Sequence, residues 1–185
     1  EVCQSVSFRV KQKINGIHRA CVNIGSILMR KRMIDSDLKQ NVGSDWKWLD
    51  IEKLAVVEVT SEDDAFPIES ALLPGKGSGW RASVPGKQII RLLFDNPQRL
   101  QWVRLDFEEA EIERTQEYVL RWSKDNGQSY HEIIRQQWNF SPEGATSEIE
   151  DYHLELPDVT ILELSINPDI SGRNAIASLK KLRLA

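Results

Sequence analysis

From Ala55 onward, the apolar residues of this chain recur mostly at every second position, a period that belongs to strands with one buried face. In Leu100–Phe107, Val103, Leu105 and Phe107 fall on one side, with Arg104 and Asp106 on the other. Ala55–Thr60 is valine-rich and alternating, and Gln88–Phe94 is a near-continuous apolar run. Glu117–Ser123 and Ser129–Gln137 flank Lys124-Asp125-Asn126-Gly127, where Asn and Gly accept positive φ, so these runs read as a hairpin. Ile149–Leu156, Thr160–Ile166 and Ala177–Leu184 follow, bounded by Pro157, by Asn167-Pro168-Asp169 and by Ser171-Gly172. Helical pattern is confined to a turn or two in Ser36–Leu54 and to Pro67–Leu72, with Pro near its first position. About eight short strands, with turns roughly every 8 to 12 residues and almost no helix between them, predict an all-β, antiparallel jelly-roll β-sandwich. No internal repeat points to a propeller or solenoid.

The 185 residues, 41% of them apolar, suffice for one domain with a sizeable core, and six Trp, three Tyr and five Phe argue against disorder. A net charge of −4 gives no chain-wide attraction for polyanions, so neither nucleic acid nor membrane insertion is expected. A bilayer crossing needs about 20 consecutive apolar residues. The run Ala20–Met29 is shorter and carries Asn23, Gly25 and Ser26. Arg30-Lys31-Arg32 follow it where a secretory signal would have its small-residue cleavage site. With Cys3 and Cys21 as the only cysteines, this pattern predicts a cytoplasmic protein without a disulfide framework. Before Met33 the charges are basic except for Glu1, so residues 1–45 read as a basic leader, partly helical or disordered. The folded domain is expected over residues 46–185.

Catalytic and metal patterns are missing. His18, His131 and His153 lie far apart, none at metal-ligand spacing. Ser78 lacks the Gly-x-Ser-x-Gly elbow, and Gly75-Lys76-Gly77-Ser78-Gly79 fits neither phosphate-binding spacing, so it reads as a flexible surface loop. Glu108, Glu109, Glu111 and Glu113 could supply the two acids of a glycosidase, but so Glu-rich a stretch suits a solvated turn with Arg114 as its charge partner. No enzyme is predicted.

Tryptophan is more informative, because an indole face covers the flat C–H patch of a sugar ring while polar neighbours bind its hydroxyls. Alternation assigns Trp122 to the core with Tyr118 and Leu120, and puts Trp102 outward beside Arg104, with Trp46 or Trp48 as its expected cover. Trp80-Arg81 and Trp138-Asn139-Phe140 fall in or beside predicted loops, the usual place for recognition on a rigid sandwich.

Ser61-Glu62-Asp63-Asp64-Ala65-Phe66-Pro67-Ile68-Glu69-Ser70-Ala71-Leu72, followed by Gly79-Trp80-Arg81-Ala82, resembles the opening of the discoidin or coagulation-factor type C family. The apolar strand Lys87–Asp95, the hairpin Trp122–Tyr130 and the stretches Thr160–Pro168 and Leu179–Leu184 continue the resemblance in order, from about Leu54 to Ala185. In the hairpin, Asn126 intervenes between the family's Asp and Gly. The resemblance implies a galactose-binding-like jelly roll that binds glycans, phospholipid head groups or proteins through loops at one end.

It also implies, for many members, a structural calcium held by an Asp in the loop before the Trp and by an acid near the carboxyl end. Here Pro74–Ser78 and Lys180-Lys181 occupy those places, so no cofactor is expected. The resulting expectation is a non-catalytic carbohydrate-binding module. Trp80 or Trp138 would stack on a sugar while Arg81, Asp63, Asp64 and Asn139 read its hydroxyls. The alternative is a protein-interaction domain using a sheet face around Trp102 with Arg104, Arg121 and Arg135.

Overall fold

The computed structural model describes residues 47–185, so the leader, both cysteines, His18 and Trp46 lie outside the described residues. Two four-residue helices, α1 (Ile51–Leu54) and α2 (Glu69–Leu72), accompany eight strands. These are β1 (Ala55–Val59), β2 (Trp80–Pro85), β3 (Gln88–Glu108), β4 (Arg114–Ser123), β5 (His131–Phe140), β6 (Ser147–Asn167), β7 (Ile176–Leu179) and β8 (Lys181–Leu184).

Strands expected as Gln88–Phe94 and Leu100–Phe107 are the two arms of the 21-residue β3, and Ile149–Leu156 and Thr160–Ile166 likewise merge in β6. Pro97 and Pro157 lack N–H donors, so the ladder is interrupted where the two strands bend together, but neither strand ends. The register steps from Leu93↔Ile161 to Gln98↔Val159, Leu100↔Leu156 and Trp102↔His153, and Asp158 takes a φ of 55° at the corner. Ala177–Leu184, by contrast, divides into β7 and β8, which pair with β2 and β3.

The first arm of β3 pairs with β1 and with the second arm of β6, which continues to β4 and β5. Its second arm pairs with β8 and with the first arm of β6. The two layers face each other, since Phe107 on one stacks on Tyr118 of the other at 5.0 Å and the Tyr118 and Tyr152 hydroxyls are hydrogen-bonded. Leu92, Leu105, Leu120 and Leu164 fill the core between them. The jelly-roll sandwich is thus present. The hairpin forms as predicted, with Asn126 and Gly127 at φ 54° and 87°. Hydrogen bonds from Ser129 and Ser123 hold the Asp125 carboxyl well below the usual carboxylate range.

Across the outer face of the five-stranded layer, the pleat aligns Glu58, Arg91, Glu163 and Arg121 as successive register partners. Arg91 Nε meets Glu163 at 2.8 Å, Arg121 binds the other carboxylate oxygen, and Tyr130 lies under the Arg121 guanidinium. Glu163 is 1% exposed.

On the first arm of β6, Glu148, Glu150 and Tyr152 alternate inward and are half-buried. Burial, with hydrogen bonding to Glu150 and its like charge, pushes the Glu148 carboxyl up to about 7 from 4.5. A carboxyl raised in the folded state binds its proton more tightly there than in the unfolded chain, so its contribution to stability falls as pH rises from 4.5 to about 7. Urea titrations across that window are expected to show this decline in the native chain and a flatter profile in Glu148→Gln.

Candidate functional site

Chain reversals at one end of the sandwich build a cleft of about 250 Å³. Its wall includes Phe66 from the turn after β1, Arg81 from β2, Glu108 from the end of β3, Glu111 from the β3–β4 connection, Arg114 from β4 and Asn174 from the segment before β7. These segments are tied together by specific hydrogen bonds. The Arg81 amide donates to the Phe66 carbonyl, and the Asp63 amide donates to the Arg81 carbonyl. Arg173 bridges Asp169 to the Glu113 carbonyl, fastening the segment after β6 to the β3–β4 connection.

Arg114 is the pivot. It is 3% exposed, its guanidinium donates to the Ile176 carbonyl at 2.6 Å, and it pairs with Glu109 at 3.2 Å. Burial pushes this guanidinium down, while the Glu109 charge works in the opposite direction. The other Glu109 oxygen accepts the amides of Glu111 and Ile112, so one carboxylate shapes the turn and anchors it to the barrel. This is the charge partnership that the Glu-rich composition predicted. Arg114 Nε and Trp80 Nε1 are buried with no hydrogen-bond partner, which leaves the polar wall incompletely satisfied from within.

The predicted ligand residues divide. Trp80 and Arg81 are not in a loop but open β2, a strand that the sequence reading missed. Trp80 is 1% exposed and belongs to the core, so its ring cannot lie on a sugar. Gly79 brings it there: at φ 76° a Cβ would stand 2.8 Å from the Leu179 carbonyl oxygen, so only glycine lets β2 approach β7 this closely. Arg81 is exposed at the cleft. Asp63 caps its own turn by accepting the Ala65 amide, and Asp64 is exposed beside it, but neither lines the cleft.

Trp138 and Asn139 lie within β5 and therefore point to opposite faces. Trp138 packs inward opposite Gln116, whereas Asn139 faces out and accepts the Thr115 hydroxyl. They cannot serve one ligand together. Sequence reading did not single out Phe66 or Asn174: Phe66 entered it only within the family-like segment Ser61–Leu72, and Asn174 not at all.

Trp102 does alternate outward, but it is half-buried: its indole N–H donates to Asp151, and its ring lies 5.4 Å from His153. Arg104 grips the same carboxylate and lies over Trp48. Arg121 is taken by Glu163, and Arg135 by Glu117 and Glu132. The polar groups on the face around Trp102 are therefore paired within the chain.

The calcium site does not fit these residues. Arg183 donates to the carbonyls of Ala71, Leu72 and Leu73, placing a guanidinium on the oxygens that end α2, with Lys180 and Lys181 alongside on the same strand connection.

No protein-family model matches the chain, and no curated protein does. Solved structures do. A CBM32 module from a family 31 glycoside hydrolase of Clostridium perfringens superposes with a TM-score of 0.56 at 18% identity, covering 74% of this chain and 93% of its own. The family 32 module of NanJ from C. perfringens, in complex with galactose, gives 0.52 at 12%, covering 70% and 92%. Chitosan-binding module 1 from the chitosanase/glucanase of Paenibacillus sp. IK-5 gives 0.53 at 16%, covering 73% and 97%. The fold is therefore the galactose-binding-like, discoidin-type β-sandwich that the resemblance implied.

Proposed function

We propose that this chain is a non-catalytic carbohydrate-binding module whose ligand site is the cleft between Phe66 and Asn174. The observation that carries this reading is a half-buried aromatic ring, Phe66, beside the exposed Arg81, Glu111 and Asn174, at the loop end of a rigid sandwich. An apolar surface flanked by donors and acceptors matches a sugar ring, which has C–H groups on its face and hydroxyls around its edge. The fold supports the same reading, as its structural neighbours include a module in complex with galactose and one named for binding chitosan. The non-catalytic part rests on the carboxylates: Glu108 pairs with Lys180 and Glu109 with Arg114, so neither is a free acid facing a partner across the cleft.

A glycan array probed with the full chain tests the proposal. Binding to at least one saccharide is expected, with Phe66→Ala and Arg81→Ala each weakening it about tenfold while the fold persists. An array without any signal, or binding indifferent to both substitutions, would discard the reading.

A further inference from the structure

Past Lys180 the character of the surface changes. Lys180 lines the cleft and also a neighbouring hollow of about 500 Å³, formed where the loop between α2 and β2 meets β8. Five cationic side chains, Lys76, Arg104, Lys180, Lys181 and Arg183, line this hollow together with Trp48, and no acidic residue does. Some of this charge is answered nearby: Arg104 by Asp151, Lys180 by Glu108, and Lys181 by Asp106, its cross-strand partner. Lys76 and Arg183 have no carboxylate partner within ion-pair distance among the described residues. Arg183 is held by carbonyl dipoles alone, and burial pushes its guanidinium down with no acid to offset the cost.

Gly75 and Gly77 leave open space where a side chain would stand, so the loop wall is bare backbone. The adjoining cleft is balanced, with Glu108, Glu109 and Glu111 set against Arg81, Arg114 and Lys180 on its wall. The cleft wall therefore offers an acidic group on a bound saccharide no net attraction, whereas the hollow beyond Lys180 draws it in.

We infer that the ligand is an acidic glycan, whose carboxylate or sulfate enters the hollow formed by Lys76, Lys180, Lys181 and Arg183 while its ring occupies the cleft. This inference rests on the carbohydrate-binding reading above and adds the charge of the substrate. The anionic group would gain charge-assisted hydrogen bonds from the lysines, and Trp48 would supply an apolar wall.

The test compares saccharides that differ in charge and share a backbone: oligogalacturonate against its methyl ester, and sulfated against unsulfated galacto-oligosaccharide. Titration calorimetry with the full chain at about 20 mM NaCl is expected to show one acidic form binding at least about tenfold more tightly than its neutral partner, with the advantage shrinking at about 500 mM. The pair that shows the difference identifies carboxylate or sulfate as the group bound. In the Lys76→Ala/Lys181→Ala double variant the advantage is expected to fall to within about twofold. Lys76→Ala alone, a change in an exposed loop, is expected to give an intermediate value if the double variant does not fold. Equal affinity for charged and neutral partners would overturn the inference and leave the carbohydrate-binding reading standing. An advantage that survives both variants would overturn the site. Absence of binding to these and to every arrayed glycan would remove the parent reading, and the inference with it.

Discussion

Trp80→Ala is expected to lower the free energy of unfolding by about 3–5 kcal/mol, the cost of deleting a large buried aromatic and leaving a cavity. The indole is 1% exposed and belongs to the core, on a strand that only Gly79 allows to approach its partner β7. Phe66→Ala, at a half-buried ring on the cleft, is expected to cost roughly 1 kcal/mol in stability. Chemical denaturation of both variants separates the two roles. A stable Trp80→Ala protein that had lost its ligand would show that this ring is presented and not buried, contradicting the site described here.

The second large effect concerns Glu163. Removing it leaves Arg91 on β3 and Arg121 on β4, flanking β6, with their shared counter-charge gone. Breaking a fully buried pair costs about 3–5 kcal/mol, and since these arginines are 38% and 37% exposed, about 2–3 kcal/mol is expected for Glu163→Ala. Arg91→Ala should cost less, because Arg121 still satisfies the carboxylate.

Burial pushes the Glu163 carboxyl up, but hydrogen bonds from Arg91 and Arg121 outweigh this and hold it below 4.5. A depressed carboxyl contributes stability above its unfolded value and loses it as pH falls below 4.5 through the folded value. Glu163→Gln should therefore flatten the acid limb of the stability profile, whereas Glu148→Gln flattens the limb between 4.5 and about 7. An unchanged acid limb in Glu163→Gln would mean that the two arginines do not hold the charge.

Much of the architecture was readable because alternation is a local property of the extended backbone. Val103, Leu105 and Phe107 are buried and Trp102 lies on the opposite face, as the period of two requires. The β4–β5 hairpin was equally legible, since positive φ at Asn126 and Gly127 is a preference of those side chains themselves. Proline misled the strand boundaries. It ends hydrogen bonding at a position but does not end a strand, so Pro97 and Pro157 mark a corner inside β3 and β6.

The site was far less legible. Trp80 looked available because Gly75–Gly79 resembles a loop, and nothing local shows that its strand pairs with β7, about a hundred residues later in the chain, or that the ring is buried. Asn139 follows Trp138 in sequence, but the pleat divides them between two faces.

By itself, then, the sequence determined which segments extend, which of their faces are apolar, where one hairpin turns and that the chain is a sandwich, because these follow from backbone preference and residue spacing. Only the tertiary structure decided which aromatic rings remain open to solvent and which charges are answered. It did so by bringing Phe66, Arg81, Arg114 and Asn174 to one end, and Lys76 against Lys181 and Arg183 beside it. The physical reason is that exposure and electrostatic balance depend on what the second layer and the returning strands cover, and those contacts join residues with no relation along the chain.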